Sequence, residues 1–176
     1  MARLLRDQGY TATGLAQVLA ESGVSNGSLY HHFPGGLEEL AEAALEASGQ
    51  AVANALHQAL ETAPNTTVGL ARFLEIAGQP DGDEPCLGCP IAPTALESPI
   101  ISTRLRAAAA RSFEDWEAQI AQSLRNDGWS EDAVTQTASS TLALIEGALL
   151  LAKVSGDVGP LKHAERAIAL LLTSQH

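Results

Sequence analysis

Residues 11–33 read TATGLAQVLAESGVSNGSLYHHF, and this stretch decides the fold. Thr13 is expected to cap a helix, because its hydroxyl satisfies a backbone N–H left without a partner at a helix start. Leu15, Ala16, Val18 and Leu19 then recur at helical spacing and give one apolar face. Gly23 follows where that helix should stop, since glycine accepts the left-handed C-terminal conformation. Val24 reads as a buried anchor in the turn. Ser25 caps a second short helix, whose apolar positions are Leu29 and Phe33. Two short helices joined through a glycine-containing turn of about four residues make a helix-turn-helix.

The second helix carries no Asp, Glu, Lys or Arg from Ser25 to Phe33. Its outward residues are small or hydrogen-bonding. Gly27 costs roughly 1 kcal/mol against alanine inside a helix. Close approach of a phosphate or base edge to the backbone would account for that cost. The pattern implies a helix that enters the major groove of DNA. Thr13 and His31 or His32 are then expected to touch phosphates, and Ser25, Asn26, Gly27, Ser28 and Tyr30 to meet bases or the backbone. The plain alternative is a helical subdomain that only docks protein, with Tyr30 and His31 packed at a helix end.

The run GVSNGSLYHHFPGGLEELAEAAL, residues 23–45, resembles the signature of the TetR family of bacterial transcriptional regulators. The resemblance covers about the first fifty residues. Gly88-Cys89-Pro90-Ile91-Ala92-Pro93 and Ala95-Leu96-Glu97 are similar to the LmrA/YxaF-type branch of that family. The resemblance implies an all-α protein: a three-helix DNA-binding domain in residues 1–36, running into a linking helix over 37–62, and a C-terminal ligand-binding and dimerisation domain in 37–176. It implies a DNA-binding regulator, a repressor released from its operator by a small hydrophobic ligand, with no cofactor. A helical small-molecule binding protein with weakened or lost DNA binding is the alternative. Relatives often carry lysine where this chain has Asn26 and Leu37, so those two phosphate contacts are not carried over. The first helix, beginning Met1-Ala2-Arg3-Leu4-Leu5, is a turn or two shorter than in relatives. Either the start is truncated or preceding residues lie outside the sequence given.

Composition agrees with helices. The chain has 176 residues, 45% apolar but only 4% aromatic, long enough for a substantial core and too poor in aromatics for many strands. The formal net charge is −11, whereas nucleic-acid binders are usually basic. Residues 1–36 hold two basic and two acidic residues, and the remainder holds eight and nineteen, so the acid belongs to the body. A neutral head on an acidic body still turns the head toward phosphate, and binding should rest on hydrogen bonds and helix N-termini more than on counterion release. The N-terminus lacks the apolar core of a signal peptide. The most apolar run, Leu142 to Ala152, is interrupted by Glu146 and falls short of the ~20 residues that span a membrane. A soluble, cytoplasmic protein without a membrane partner is expected.

The body reads as long helices: Leu37 to Thr62, Thr67 to Gly78, a short one around Thr94–Glu97 closed by Pro99, Ile100 to Asn126, Ser130 to Ser155, and Pro160 to Ser174. Residues 79–90, QPDGDEPCLGCP, read as a loop. The helix after Ser130 is apolar nearly all round between Leu142 and Ala152, which calls for burial on several sides. A second copy of the chain is the simplest cover. Leu142, Ile145 and Leu149 from this helix, with Leu161, Ile168 and Leu171 from the last, are the expected dimer interface. A two-fold dimer also matches paired half-sites on DNA. Phe73, Phe113, Trp116 and Ile120 are candidates to line a ligand cavity, with ordinary core packing the alternative for each. Glu146 either meets a cationic ligand, or reaches water or pairs within the protein.

Cys86 and Cys89 form CLGC, a spacing open to structural thiols, a redox pair or a metal pair. A zinc site needs four ligands, and no second CxxC or HxxxH follows. His31 and His32 are adjacent and point to different helix faces. Gly35-Gly36 precedes a helix but lacks the Lys and Ser/Thr of a phosphate loop. No nucleophile motif or catalytic carboxylate pair is present. Neither an enzyme nor a metal site is expected.

Overall fold

The computed structural model describes residues 1–79 and 88–173. Every regular element among them is a helix: α1 (Ala2–Gln8), α2 (Leu15–Ser22), α3 (Asn26–His32), α4 (Gly36–Glu61), α5 (Thr66–Ala77), α6 (Ala92–Ile101), α7 (Thr103–Asn126), α8 (Glu131–Ser155) and α9 (Gly159–Thr173). The protein is all-α. It divides into two compact units, and the division does not fall at residue 36. The first unit joins α1–α3 to α4 as far as Ala51, to α6, and to α7 as far as Phe113; the second holds the rest of α4 and α7 with α5, α8 and α9.

In the first unit, Leu4, Leu5, Val18 and Leu29 supply one buried residue or pair from each of the three short helices, and Ala41, Leu45, Ile91, Leu105 and Ala108 complete the core. α1 packs on α6. α4 and α7 are held along their flanks by ion pairs. Arg104 pairs with Glu42, and Arg111 bonds Glu46 at 2.6 Å. Ser102 Oγ accepts from Leu105 N at 3.0 Å, capping α7, and donates to Glu38.

Pro99 does not end α6. Proline cannot donate to the carbonyl four residues back, which here is Ala95. The Ser98 hydroxyl takes that carbonyl at 2.9 Å, so the helix runs on to Ile101 and α7 starts at Thr103.

In the second unit α9 packs on α8 and α5. α5 is capped by Asn65 Oδ1, which accepts from Val68 N at 3.0 Å, and is tied to α7 by Thr66 N donating to Asp127 Oδ2 at 2.8 Å. α8 carries its buried stripe at Val134, Thr137, Ala138, Thr141, Ile145, Ala148, Leu149 and Ala152. Counted over its whole length, α8 is apolar enough to cross a membrane, so the short-run argument from Leu142 to Ala152 does not cover it. Its buried stripe packs on α9, while apolar residues also lie exposed on its other side.

Candidate nucleic-acid interface

The helix-turn-helix forms through local chemistry. Gly23 closes α2 in the left-handed conformation, at φ 69, with its N–H bonded to Leu19 O. Ser25 lies in extended backbone and its Oγ accepts from Ser28 N at 3.1 Å, so α3 begins with a satisfied cap. Leu29 is the buried residue that anchors α3. Val24 is no anchor: it is 43% exposed. Val18 and Leu29 are the buried residues on either side of it.

The structure leaves Ser25, Asn26, Gly27, Ser28, Tyr30, His31 and His32 exposed together on α3 and its cap. They wrap most of α3 in polar surface without a formal charge at neutral histidine. The rings of His31 and His32 meet edge to face, 5.0 Å apart. A Cβ built on Gly27 would find only Ser25 Oγ, at 4.0 Å, so nothing inside the protein requires a glycine there.

Thr13 is placed differently from the rest. It is 3% exposed, and Gly14, not Thr13, is the N-cap of α2. Its hydroxyl donates to Gly9 O at 2.6 Å and accepts from Gln8 Nε2 at 3.3 Å. The hydroxyl therefore closes the turn between α1 and α2 and is not free at a helix start.

The dimer residues also need correction. Ile145, Leu149, Leu161 and Ile168 are each no more than 6% exposed within a single chain, and Leu142 and Leu171 are half-buried. The first four are therefore occupied within the chain. The apolar residues left facing out are Leu144, Leu150, Leu151 and Val154 on α8 and Leu170 on α9. Gly147 lies on the same outward side of α8, with open space at its Cα.

Among the ligand candidates, Phe73, Trp116 and Ile120 are buried in the second unit, while Phe113 is half-buried and belongs to the first. An open groove of about 640 Å³ in the second unit runs between α5 and α9, past Val68, Arg72, Leu161, Lys162 and Arg166, and none of the candidates lines it. Burial pushes the Glu146 carboxyl above the ordinary range, opposed by a hydrogen bond from the Cys89 thiol. Cys89 is buried, and Cys86 lies outside the described residues. Among the described residues no group of three or more His, Cys, Asp and Glu is placed to hold a metal ion.

Comparison with known proteins divides the chain along the sequence, unlike the two compact units. Residues 2–44 match the bacterial regulatory proteins of the tetR family, and residues 69–167 match the C-terminal domain of LmrA/YxaF-like transcriptional regulators. The chain belongs to the TetR family. It is 35% identical to the HTH-type transcriptional regulator YxaF of Bacillus subtilis over 97% of this chain and 90% of that one. It is 34% identical to LmrA of the same organism, covering 97% and 91%. Among solved structures, a TetR regulator from Chloroflexus aurantiacus has a TM-score of 0.80 at 28% identity, over 99% of this chain and 90% of that one. The reduced form of Escherichia coli NemR has a TM-score of 0.83 at 25% identity, covering 97% and 91%. This TetR-family chain is thus a DNA-binding transcriptional regulator with an LmrA/YxaF-like C-terminal domain.

One contact escaped the reading of the sequence. Glu97 was visible only as part of a family motif, yet its carboxylate accepts from the backbone of the α1–α2 turn. The signal for it was Gly9, a lone glycine where a carboxylate arrives.

Proposed function

We propose that the chain is a homodimeric repressor that leaves its operator when a small hydrophobic ligand binds the body. The single observation that carries the DNA end of this reading is the exposed, uncharged face of α3 around an internally unexplained Gly27. Ser25, Asn26, Ser28 and Tyr30 are the base- and backbone-reading groups, with His31 and His32 beside phosphates. Thr13 acts from behind the face, by shaping the turn before α2.

Dimerisation is supported by the outward apolar stripe of α8, Leu144, Gly147, Leu150, Leu151 and Val154, joined by Leu170 of α9. Exposed patches of this kind mark interfaces. A two-fold pairing sets two α3 helices a helical turn of DNA apart, about 34–36 Å or a multiple. The ligand shifts the population between a DNA-competent and a wider-headed dimer by its differential affinity. Phe73, Trp116 and Ile120 are the wall residues this reading assigns to it, with Glu146 at the polar end. Phe113 has no part in that set. The working compartment is the cytoplasm.

The test is a gel shift with intergenic DNA next to the gene, repeated with candidate hydrophobic ligands. A retarded complex that a ligand dissolves is expected. Replacing Asn26 or Ser28 should change operator preference. If selectivity survives both replacements, α3 is not the reading helix.

A further inference from the structure

Glu97 sits on α6, inside the segment that matches the family's C-terminal domain. Tyr10 and Thr11 sit between α1 and α2, inside the segment that matches the DNA-binding domain. Tyr10 N and Thr11 N both donate to Glu97 Oε2 at 2.9 Å. Two successive amides aimed at one anionic oxygen form a concave backbone cradle for negative charge. Hydrogen bonds to a charged acceptor are among the stronger ones in proteins.

Gly9 makes the cradle possible. Its φ is +77, and a Cβ there would collide with Glu97 Oε1. Two groups then carry the order forward. Thr13 Oγ1 donates back to Gly9 O at 2.6 Å, and Gly14 N-caps α2. The carboxylate and the Thr13 hydroxyl thus both hold the turn that leads into α2. On the other side, the Ser98 hydroxyl keeps α6 helical past Pro99, which holds Glu97 within a helix that packs on α1.

We propose that Glu97 is a positioning residue for operator binding: by clamping the Tyr10 and Thr11 amides it fixes the entry to α2, and so the pose of α3, to the state of α6. It touches no DNA. Its effect reaches DNA through the turn.

The test uses the full chain and a duplex chosen by binding-site selection from a randomised pool. E97A should weaken binding to that duplex about tenfold, through loss of two charge-assisted hydrogen bonds. E97Q, which keeps an acceptor but loses the charge, should lose about threefold. Amide exchange should accelerate at Tyr10 and Thr11 and stay unchanged in α8. G9A, made alone and with E97A, closes a double-mutant cycle, and the two substitutions should be markedly non-additive in duplex affinity. Parent-like affinity in E97A with faster exchange at Tyr10 and Thr11 would reduce the contact to a local bond and overturn the proposal. Additivity in the cycle would overturn it too. If E97A raises exchange throughout the chain, E97Q decides: reduced affinity at an unchanged unfolding midpoint supports the clamp, and unchanged affinity refutes it. The parent protein's own binding to the selected duplex separates a failure of Glu97 from a failure of the DNA-binding assignment.

Discussion

Gly27→Ala sets stability against function at one atom. Gly27 is the second residue of α3, its φ is not positive, and an added Cβ meets only Ser25 Oγ at 4.0 Å. Alanine therefore fits the free protein without strain. It also lowers the entropy of the unfolded chain and should raise stability by about 0.5–1 kcal/mol, toward the low end because the site is in the first turn. For a chain of this size that is a rise of roughly 1–4 °C in Tm. On DNA the same methyl group occupies space the glycine leaves to a phosphate or base edge. Forcing an extra carbon into a packed contact costs about 1–3 kcal/mol. A dimer meets the operator with two heads, so the cost doubles and affinity falls at least about thirtyfold. Thermal unfolding and fluorescence anisotropy on a labelled operator measure the two halves. Operator binding equal to or tighter than the parent's would refute the reasoning, because the glycine would then serve nothing outside the protein.

Leu151→Glu places a carboxylate on the outward side of α8, where Leu151 is 59% exposed. The fold should persist while light scattering reports a monomer and operator binding drops sharply; a dimer of unchanged mass would contradict the assignment of that face. The Glu146 carboxyl is raised above its ordinary value of 4.5 by burial. The folded chain therefore holds that proton where the unfolded chain has lost it, so this group makes stability decline as pH rises from about 4.5 through the raised value. Glu146→Gln should flatten that decline in unfolding midpoints measured across pH, and an unaltered slope would contradict the burial argument. Operator affinity should fall only gently with salt, with a slope equal to about four or fewer phosphate charges per dimer, at about 0.9 per charge. A slope worth eight or more would show that basic residues other than Arg3 and Arg6 dominate.

How much of this was legible depends on the range of the interactions. Ser25, Gly23 and Asn65 act within four residues of themselves, and helix ends set by such caps are readable from a sequence. Pro99 misled because its compensation is also local but unusual: a serine hydroxyl standing in for a missing N–H. Thr13 was a sound cap candidate whose hydroxyl instead bonds a carbonyl four residues earlier, a local alternative that competes with capping. Glu97 reaches back 87 residues to Tyr10, a separation at which periodicity says nothing. The outward side of α8 was not legible for a different reason. α8 is apolar on opposite sides, and a sequence shows that both sides need cover without showing which one the chain covers itself.

That two-sided helix separates two kinds of evolutionary freedom. Ile145, Leu149 and Ala152 answer to the chain's own interior, while Leu144, Leu151 and Val154 are exposed and, in the proposed dimer, answer to a second copy. Drift at the outward positions can therefore alter partner choice without loss of the fold. A cell holding several regulators of this architecture can keep them from mixing by changing a handful of outward side chains on one helix, since a mismatched pair is rejected by clashes and unpaired groups. Insulation between sister regulators is in this sense written on the back of the same helix whose front holds the protein together.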